Sequence, residues 1–346
     1  MITAHKAFTQ PAGARNWQQA LAEAVRDPRE LLEMLELPAN LLPSARRAAQ
    51  LFPLRVPRGY VARMQRGDPA DPLLRQVLPL EAEFEEVPGF RADPVGDLDS
   101  QLDPGVLKKY PGRALLITTG VCAVHCRYCF RRHFPYSEQN AARGRWHQAL
   151  TAVANDRDIH EVILSGGDPL SLGDDRLGEL IQGLGQISHV KRLRIHSRHP
   201  VVLPERVTRA LCREIERFPG PVTVVLHANH AREIDSHVRS GIGRLRETGA
   251  LLLNQAVLLR GVNDNIEALE ALGGALTAAA VSPYYLHMLD PVAGAAHFDV
   301  PESRALDLVD RLRRRAPGYM VPRLVREIPG EDAKTPVTGE VVDNTP

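Results

Sequence analysis

From Arg113 onward, short apolar runs alternate with longer stretches in which apolar residues recur every three or four positions. The runs are Ala114-Leu-Leu-Ile-Thr-Thr, Glu161-Val-Ile-Leu-Ser, Arg192-Leu-Arg-Ile-His, Val222-Thr-Val-Val-Leu-His, Leu251-Leu-Leu-Asn-Gln-Ala-Val and Val281-Ser-Pro-Tyr-Tyr-Leu-His. Their length and richness in Val, Ile and Leu mark buried strands. The stretches between them, centred near Leu150, Leu180, Leu211, Val238 and Leu272, carry the period of amphipathic helices. Six such repeats predict a parallel sheet with helical crossovers, either open and doubly wound or curved into a barrel. No Gly-x-Gly-x-x-Gly follows the first strand, which weakens the dinucleotide-binding version. The expected fold is therefore α/β, a partial (β/α)6 TIM-like barrel with its chemistry on the loops after the strands' C-terminal ends.

The flanking segments read differently. Trp17, Leu21, Ala24 and Val25 fall at helical spacing, and Leu31, Leu32 and Leu35 continue the stripe. Pro57, Pro69, Pro72, Pro79, Pro88 and Pro94 then interrupt regular structure. Residues 1–95 are expected to form an N-terminal helical segment with a wrapping connection, residues 96–300 the barrel, and residues 301–346 a C-terminal lid. The last opens with a helix, Glu302 to Arg315, and closes with Pro329-Gly-Glu-Asp-Ala-Lys334-Thr-Pro-Val.

Composition narrows the classes. The chain has 346 residues and a formal net charge of +1, which implies neither a nucleic-acid nor a membrane partner. No apolar run approaches the roughly 18 residues of a spanning helix. The start, Met1-Ile-Thr-Ala-His-Lys, lacks the apolar core of a secretory signal, so a cytoplasmic protein is expected. Of the 4 cysteines, three crowd into Cys122-Ala-Val-His-Cys126-Arg-Tyr-Cys129, directly after the first strand. The fourth, Cys212, lies on the apolar side of a helical pattern and reads as a small buried hydrophobe.

Three thiolates on one short loop can hold three corners of a [4Fe–4S] cluster and leave the fourth iron open to a ligand. Zinc is the competing reading, with His125 or His133 as a fourth ligand. Ser165-Gly166-Gly167-Asp168-Pro follows the second strand, where glycines let backbone approach a ligand closely. Taken alone, this is equally a strand-to-helix turn. Lys334, between Pro329 and Pro336, is by default a solvated charge.

The cysteine spacing, with Tyr128 before the last thiol, resembles the signature of the radical S-adenosylmethionine superfamily. That resemblance implies a cluster on Cys122, Cys126 and Cys129. Its open iron would bind S-adenosylmethionine, with Tyr128, Gly166, Gly167 and Asp168 beside the cofactor. Further segments resemble lysine 2,3-aminomutase: Pro111-Gly-Arg-Ala-Leu-Leu, Cys126-Arg-Tyr-Cys-Phe-Arg-Arg, Pro200-Val-Val-Leu-Pro, Asn254-Gln-Ala-Val-Leu-Leu-Arg-Gly-Val-Asn-Asp and Lys334-Thr-Pro-Val. The resemblance runs from about Leu107 to Val337. It implies that Lys334 carries pyridoxal 5′-phosphate, that Arg113 and Tyr110 sit at its phosphate, and that Gln255 belongs to the cofactor site. It further implies that Arg131 pairs with the substrate carboxylate and that Asp290 and Glu327 hold the substrate's side-chain ammonium. Glu327 departs from the family's Asp, and the family's C-terminal zinc-binding cysteines have no counterpart here, so no zinc is expected.

With Leu54-Arg-Val-Pro-Arg and Asp71-Pro-Leu-Leu-Arg-Gln-Val, the chain most resembles the subgroup that converts L-α-lysine to (R)-β-lysine for modification of translation elongation factor P. Lysine as substrate, a reduced flavodoxin or ferredoxin-type electron donor and a functional link to an elongation factor P lysine ligase are what this implies. The alternatives are an aminomutase for another amino acid, such as glutamate, and a zinc-binding interaction module. Two carboxylates at the substrate end argue against glutamate.

Overall fold

Side chains that accept from free N–H groups of the first turn set where many helices begin. Asp27, Asp71, Thr208, Asp235 and Asn265 each cap the helix that follows, typically worth about 1 kcal/mol apiece. The computed structural model describes residues 16–139, 141–142 and 146–339. The Met1-Ile-Thr-Ala-His-Lys start lies outside these residues.

Five short helices open the described chain: α1 (Trp17–Ala22), α2 (Pro28–Met34), α3 (Leu42–Leu51), α4 (Arg58–Val61) and α5 (Pro72–Arg75). The expected stripe of Trp17, Val25, Leu31, Leu32 and Leu35 is buried in one apolar cluster. Ala123 and Val124 of the cysteine loop complete that cluster, together with Val202 and Leu203. Burial of the loop's own apolar residues therefore fastens the cysteine motif to the N-terminal helices.

The sheet has ten strands in chain order: β1 (Gln101–Asp103), β2 (Val106–Tyr110), β3 (Arg113–Ile117), β4 (Glu161–Ser165), β5 (Arg192–Ser197), β6 (Val222–Leu226), β7 (Leu251–Val257), β8 (Ser282–His287), β9 (Arg323–Arg326) and β10 (Thr335–Pro336). Strands β3 to β9 run parallel, and β1, β2 and β10 add antiparallel edges. The connecting helices are α6 (His147–Asn155), α7 (Asp174–Gly185), α8 (His199–Val202), α9 (Arg209–Glu216), α10 (Ser236–Glu247), α11 (Ile266–Ala278) and α12 (Glu302–Arg315). Their apolar faces form one core with the outer face of the sheet. Leu177, Leu180, Ile181 and Leu184 of α7 share it with Val162 and Leu164 of β4, and truncating such a residue to Ala costs about 2–5 kcal/mol.

All six expected strands and the helices between them are present. The structure adds a hairpin, β1–β2, turned at Asp103-Pro-Gly105, where Gly105 has φ +77°. It also adds β9 as a seventh parallel strand, too short to show a period in sequence. Register places Thr335 opposite Arg326 and Pro336 opposite Val325, so the next pair outward sets Lys334 beside Glu327.

Among the described residues β1 and β10 do not pair with each other, and the curled sheet stays open. Side chains span the seam instead: Tyr110 at the end of β2 donates its hydroxyl to Glu327 Oε1, just past β9, at 2.7 Å. No helix among the described residues is long and apolar enough to cross a membrane.

Candidate active site

Inside the curl lies a cavity of about 320 Å³. The fourteen site residues that the family resemblance implies all line it: Tyr110, Arg113, Cys122, Cys126, Tyr128, Cys129, Arg131, Gly166, Gly167, Asp168, Gln255, Asp290, Glu327 and Lys334. They come from both edges of the sheet and from its middle, with more than two hundred residues separating the first from the last.

The cysteine loop is positioned by backbone. His125 N–H donates to the Arg55 carbonyl and Arg127 N–H to that of Gln76, both at 2.9 Å. On its other side the loop lies against the end of β4. Gly166 has φ +116°, and a Cβ there would stand 2.7 Å from the Thr119 oxygen; one on Gly167 would stand 2.7 Å from that of Val121. The N–H groups of Gly167 and Asp168 donate to those two carbonyls, so they are not the free donors that a ligand carboxylate needs. The glycines serve first to admit the loop. The Asp168 carboxylate, expected beside the cofactor, is likewise committed to protein. It accepts from Ser197 Oγ at 2.7 Å, Leu170 N–H at 3.0 Å, Arg198 N–H at 2.7 Å and His199 N–H at 3.2 Å. It clamps the ends of β4 and β5 together.

The thiols fit an iron–sulfur centre by their chemistry. Burial pushes Cys122 well above the usual thiol range, with Cys129 close enough to add to the shift. Burial and then Cys126 raise Cys129 to about 11. Mutual repulsion of this kind is relieved when metal replaces the protons. Neither expected zinc partner is well placed. His125 is stacked on Phe52 with centroids 5.1 Å apart and held by the Pro53 carbonyl at 2.8 Å. His133 is tied to the Ala293 carbonyl at 3.1 Å. Among the described residues no three His, Cys, Asp or Glu side chains close round a single ion. A cluster instead takes each thiolate on a separate iron.

At the other end, charged groups interlock. Lys334 Nζ donates to Glu327 Oε2 at 2.6 Å. Burial alone would raise Glu327, but Lys334 and Tyr110 outweigh it and hold the carboxyl below its ordinary value. Arg131 Nε donates to Asp97 at 2.6 Å and its Nη1 to Ser165 Oγ at 3.0 Å. Lys109 reaches Asp97 at 2.7 Å and Glu327 at 3.6 Å. Against the cost of burial, Arg131 and Lys109 hold Asp97 at about 2. The Asp290 carboxylate makes no hydrogen bond or ion pair among the described residues, and burial with Glu327 nearby raises it to about 7. Arg113 lies 4.9 Å over the Tyr110 ring and has no carboxylate partner among the described residues.

Among the described residues, the buried polar atoms on cavity-lining residues that find neither a hydrogen bond nor an ion-pair partner are Nε2 of His196, His227 and His287, Oε1 of Gln255 and Nε of Arg198. Leaving such a group unmade costs roughly 1–3 kcal/mol, so these residues keep polar atoms beside the cavity at a cost to stability. Burial drives all three imidazoles toward the neutral form, His227 to about 4, and the Lys334 charge adds to this in each. Sequence reading passed over these histidines, although each sits at or just past a strand end (β5, β6 and β8). Asp97, Lys109 and Arg198 were also missed.

The chain is 48% identical over 335 residues to the L-lysine 2,3-aminomutase of Escherichia coli (strain K12), covering 96% of this chain and 98% of that one. Against the L-lysine 2,3-aminomutase of Haemophilus influenzae it is 42% identical over 321 residues, 93% and 95% of the two chains. Among solved structures, a radical SAM methyltransferase from Sphaerobacter thermophilus aligns with a TM-score of 0.48 at 18% identity, over 64% of this chain and 68% of that chain. No family model matches the chain.

Proposed function

The chain belongs to the L-lysine 2,3-aminomutase family, and from that premise we propose that it converts L-α-lysine to (R)-β-lysine using a [4Fe–4S] cluster, S-adenosylmethionine and pyridoxal 5′-phosphate. The observation that carries this reading is one cavity lined at one end by three thiols and at the other by a lysine, an uncommitted arginine and an unpaired carboxylate. When bound, the cluster and S-adenosylmethionine supply a primary carbon radical able to remove hydrogen from an unactivated carbon, and pyridoxal phosphate supplies a ring over which an unpaired electron spreads.

The protein's part is to hold, orient and exclude water. Cys122, Cys126 and Cys129 hold the iron. Lys334 holds pyridoxal phosphate covalently, and Arg113, free of any carboxylate, meets its phosphate with a fork suited to two oxygens. Gln255 and the three neutral histidines offer their unpaired atoms to bound cofactor. Arg131, backed by Asp97, receives the substrate carboxylate. Asp290 and Glu327 receive its side-chain ammonium. Glu327 accepts from Lys334's own ammonium, so Asp290, with no side-chain partner among the described residues, is the acid most open to a substrate ammonium. A second substrate carboxylate, as in glutamate, would meet only repulsion at these two acids.

Likeness to the subgroup expected from sequence supports (R)-β-lysine as a product destined for elongation factor P through a separate ligase. A flavodoxin or ferredoxin-type donor in a reducing cytoplasm would supply the electron. The test is to incubate the reduced, reconstituted enzyme with lysine and S-adenosylmethionine and to analyse products by mass and chirality. (R)-β-lysine is expected, and no β-lysine from an enzyme with a full cluster would overturn the reading.

A further inference from the structure

Arg198, the residue after β5, has no part in the scheme above, yet its guanidinium lies buried against the cysteine loop. Nη1 donates to Cys126 Sγ at 2.6 Å and to the Tyr128 hydroxyl at 2.5 Å. Nη2 donates to Gln76 Oε1 at 2.7 Å, with the Tyr60 hydroxyl and Glu233 Oε2 each at 3.3 Å. The surrounding groups are tied to one another: Asn229 Nδ2 donates to Gln76 at 2.9 Å and to Tyr128 at 2.6 Å, and Gln76 Nε2 donates to Glu233 at 3.0 Å. The backbone of Arg198 is itself pinned, its N–H donating to Asp168 at 2.7 Å. A charge so enclosed, with both arms of its fork assigned, is held in place at one sulfur by residues from the N-terminal helices and from the strand ends alike.

We infer that Arg198 is a positioning residue for the iron–sulfur centre, fixing the Cys126 sulfur and raising the centre's reduction potential. This rests on the reading that Cys126 is a cluster thiolate. Hydrogen bonds to the sulfurs, nearby charge and burial are the levers by which protein sets such a potential. An electron added to the cluster increases negative charge on its sulfurs. A permanent cation donating to one of them favours that reduced state. Glu233 opposes the effect by partly neutralising the same guanidinium. The two residues therefore act with opposite sign.

The experiment is potentiometric titration of the reconstituted protein, following the reduced cluster by electron paramagnetic resonance and normalising to iron content. In Arg198→Gln the reduced-to-oxidised ratio at a fixed applied potential is expected to fall at least tenfold, which for one electron is about 59 mV. Arg198→Lys keeps the charge without the fork and is expected to fall between Arg198→Gln and wild type. Glu233→Gln is expected to shift the ratio the other way. Full iron with unchanged potentials in Arg198→Gln and Glu233→Gln would overturn the inference. If Arg198→Gln takes up no cluster, Arg198→Lys and Glu233→Gln decide: unchanged potentials in both overturn it, and shifts of the expected sign support it. Failure of the underlying reading looks different, since wild type would then assemble no cluster or Cys126→Ser would lose none.

Discussion

Asp290→Asn separates substrate recognition from everything else in the cavity. The Asp290 carboxylate has no protein partner among the described residues, whereas Glu327 already accepts from Tyr110 and Lys334. Asp290 is thus the acid with most to gain from an incoming ammonium. Removing one partner of a buried ion pair costs about 3–5 kcal/mol. The lower figure applies here because Glu327 remains, and about 3 kcal/mol is roughly a hundredfold in affinity. The pH dependence carries a second signature. Burial raises the Asp290 carboxyl to about 7, and an ammonium binds only the ionised form. The apparent affinity for lysine is therefore level above pH 7 and falls about tenfold per unit below it. Asn removes that slope. Unfolding does not confound the test, because a carboxyl raised from 3.8 to about 7 weakens the folded state progressively as pH rises across that interval, and Asn removes this penalty. The assay is β-lysine formation against lysine concentration between pH 6 and 8.5, with reductive cleavage of S-adenosylmethionine as the control that needs no Asp290. A wild-type dependence on lysine in Asp290→Asn would show that Asp290 does not touch the ammonium, and the physical case for lysine over other amino acids would fail with it.

Cys→Ala at 122, 126 or 129 should abolish iron-dependent absorbance and all turnover, while Cys212→Ala, buried in α9, keeps both; full iron after losing one of the three refutes the assignment. Lys334→Ala should lose the visible band of protein-bound pyridoxal phosphate yet keep the cluster, and borohydride reduction of wild type followed by peptide mapping should find the label on Lys334 rather than Lys108, Lys109 or Lys191. Tyr110→Phe deletes the donor that bridges β2 to Glu327 across the open seam, a loss of about 1 kcal/mol. For a domain of this size that lowers Tm by roughly 2 °C, and an unchanged Tm would mean the seam is held elsewhere. Glu327→Asp should keep or raise lysine turnover, measured under saturating cofactors, since a shorter carboxylate retains the charge.

The barrel was legible because six of its seven parallel strands are short runs holding buried apolar residues, and these alternate with amphipathic helices. The hairpin β1–β2 was not read, although Asp103-Pro-Gly105 is a turn signature, because Val106-Leu-Lys-Lys-Tyr110 carries charge where a core strand would not. Strand β9 has four residues, and only the register of its neighbours makes it a strand. The cysteine motif could be placed from sequence because three thiols at fixed spacing on one loop are close in space whatever the fold.

The remaining site residues could be named only through family likeness, and the structure shows why spacing could not have found them. Lys334 and Glu327 are brought to the cavity by pairing of β9 with β10, Asp290 by the loop after β8, and Arg113 by the opposite edge of the sheet. What joins these elements is tertiary: Tyr110 bonded across the seam, Lys109 and Arg131 sharing Asp97. No local pattern records a partner so distant along the chain. The same reason hid Arg198, which in sequence is one more arginine in a chain with many, and whose character comes from burial against Cys126. His196, His227 and His287 left a trace, each standing at or just past the C-terminal end of a predicted strand. A polar residue at the C-terminal end of a buried parallel strand has nowhere to put its hydrogen bonds except the barrel mouth. Read that way, the three histidines mark the ligand cavity independently of any likeness to a family, and they do so from positions that the helical and strand periods alone supply.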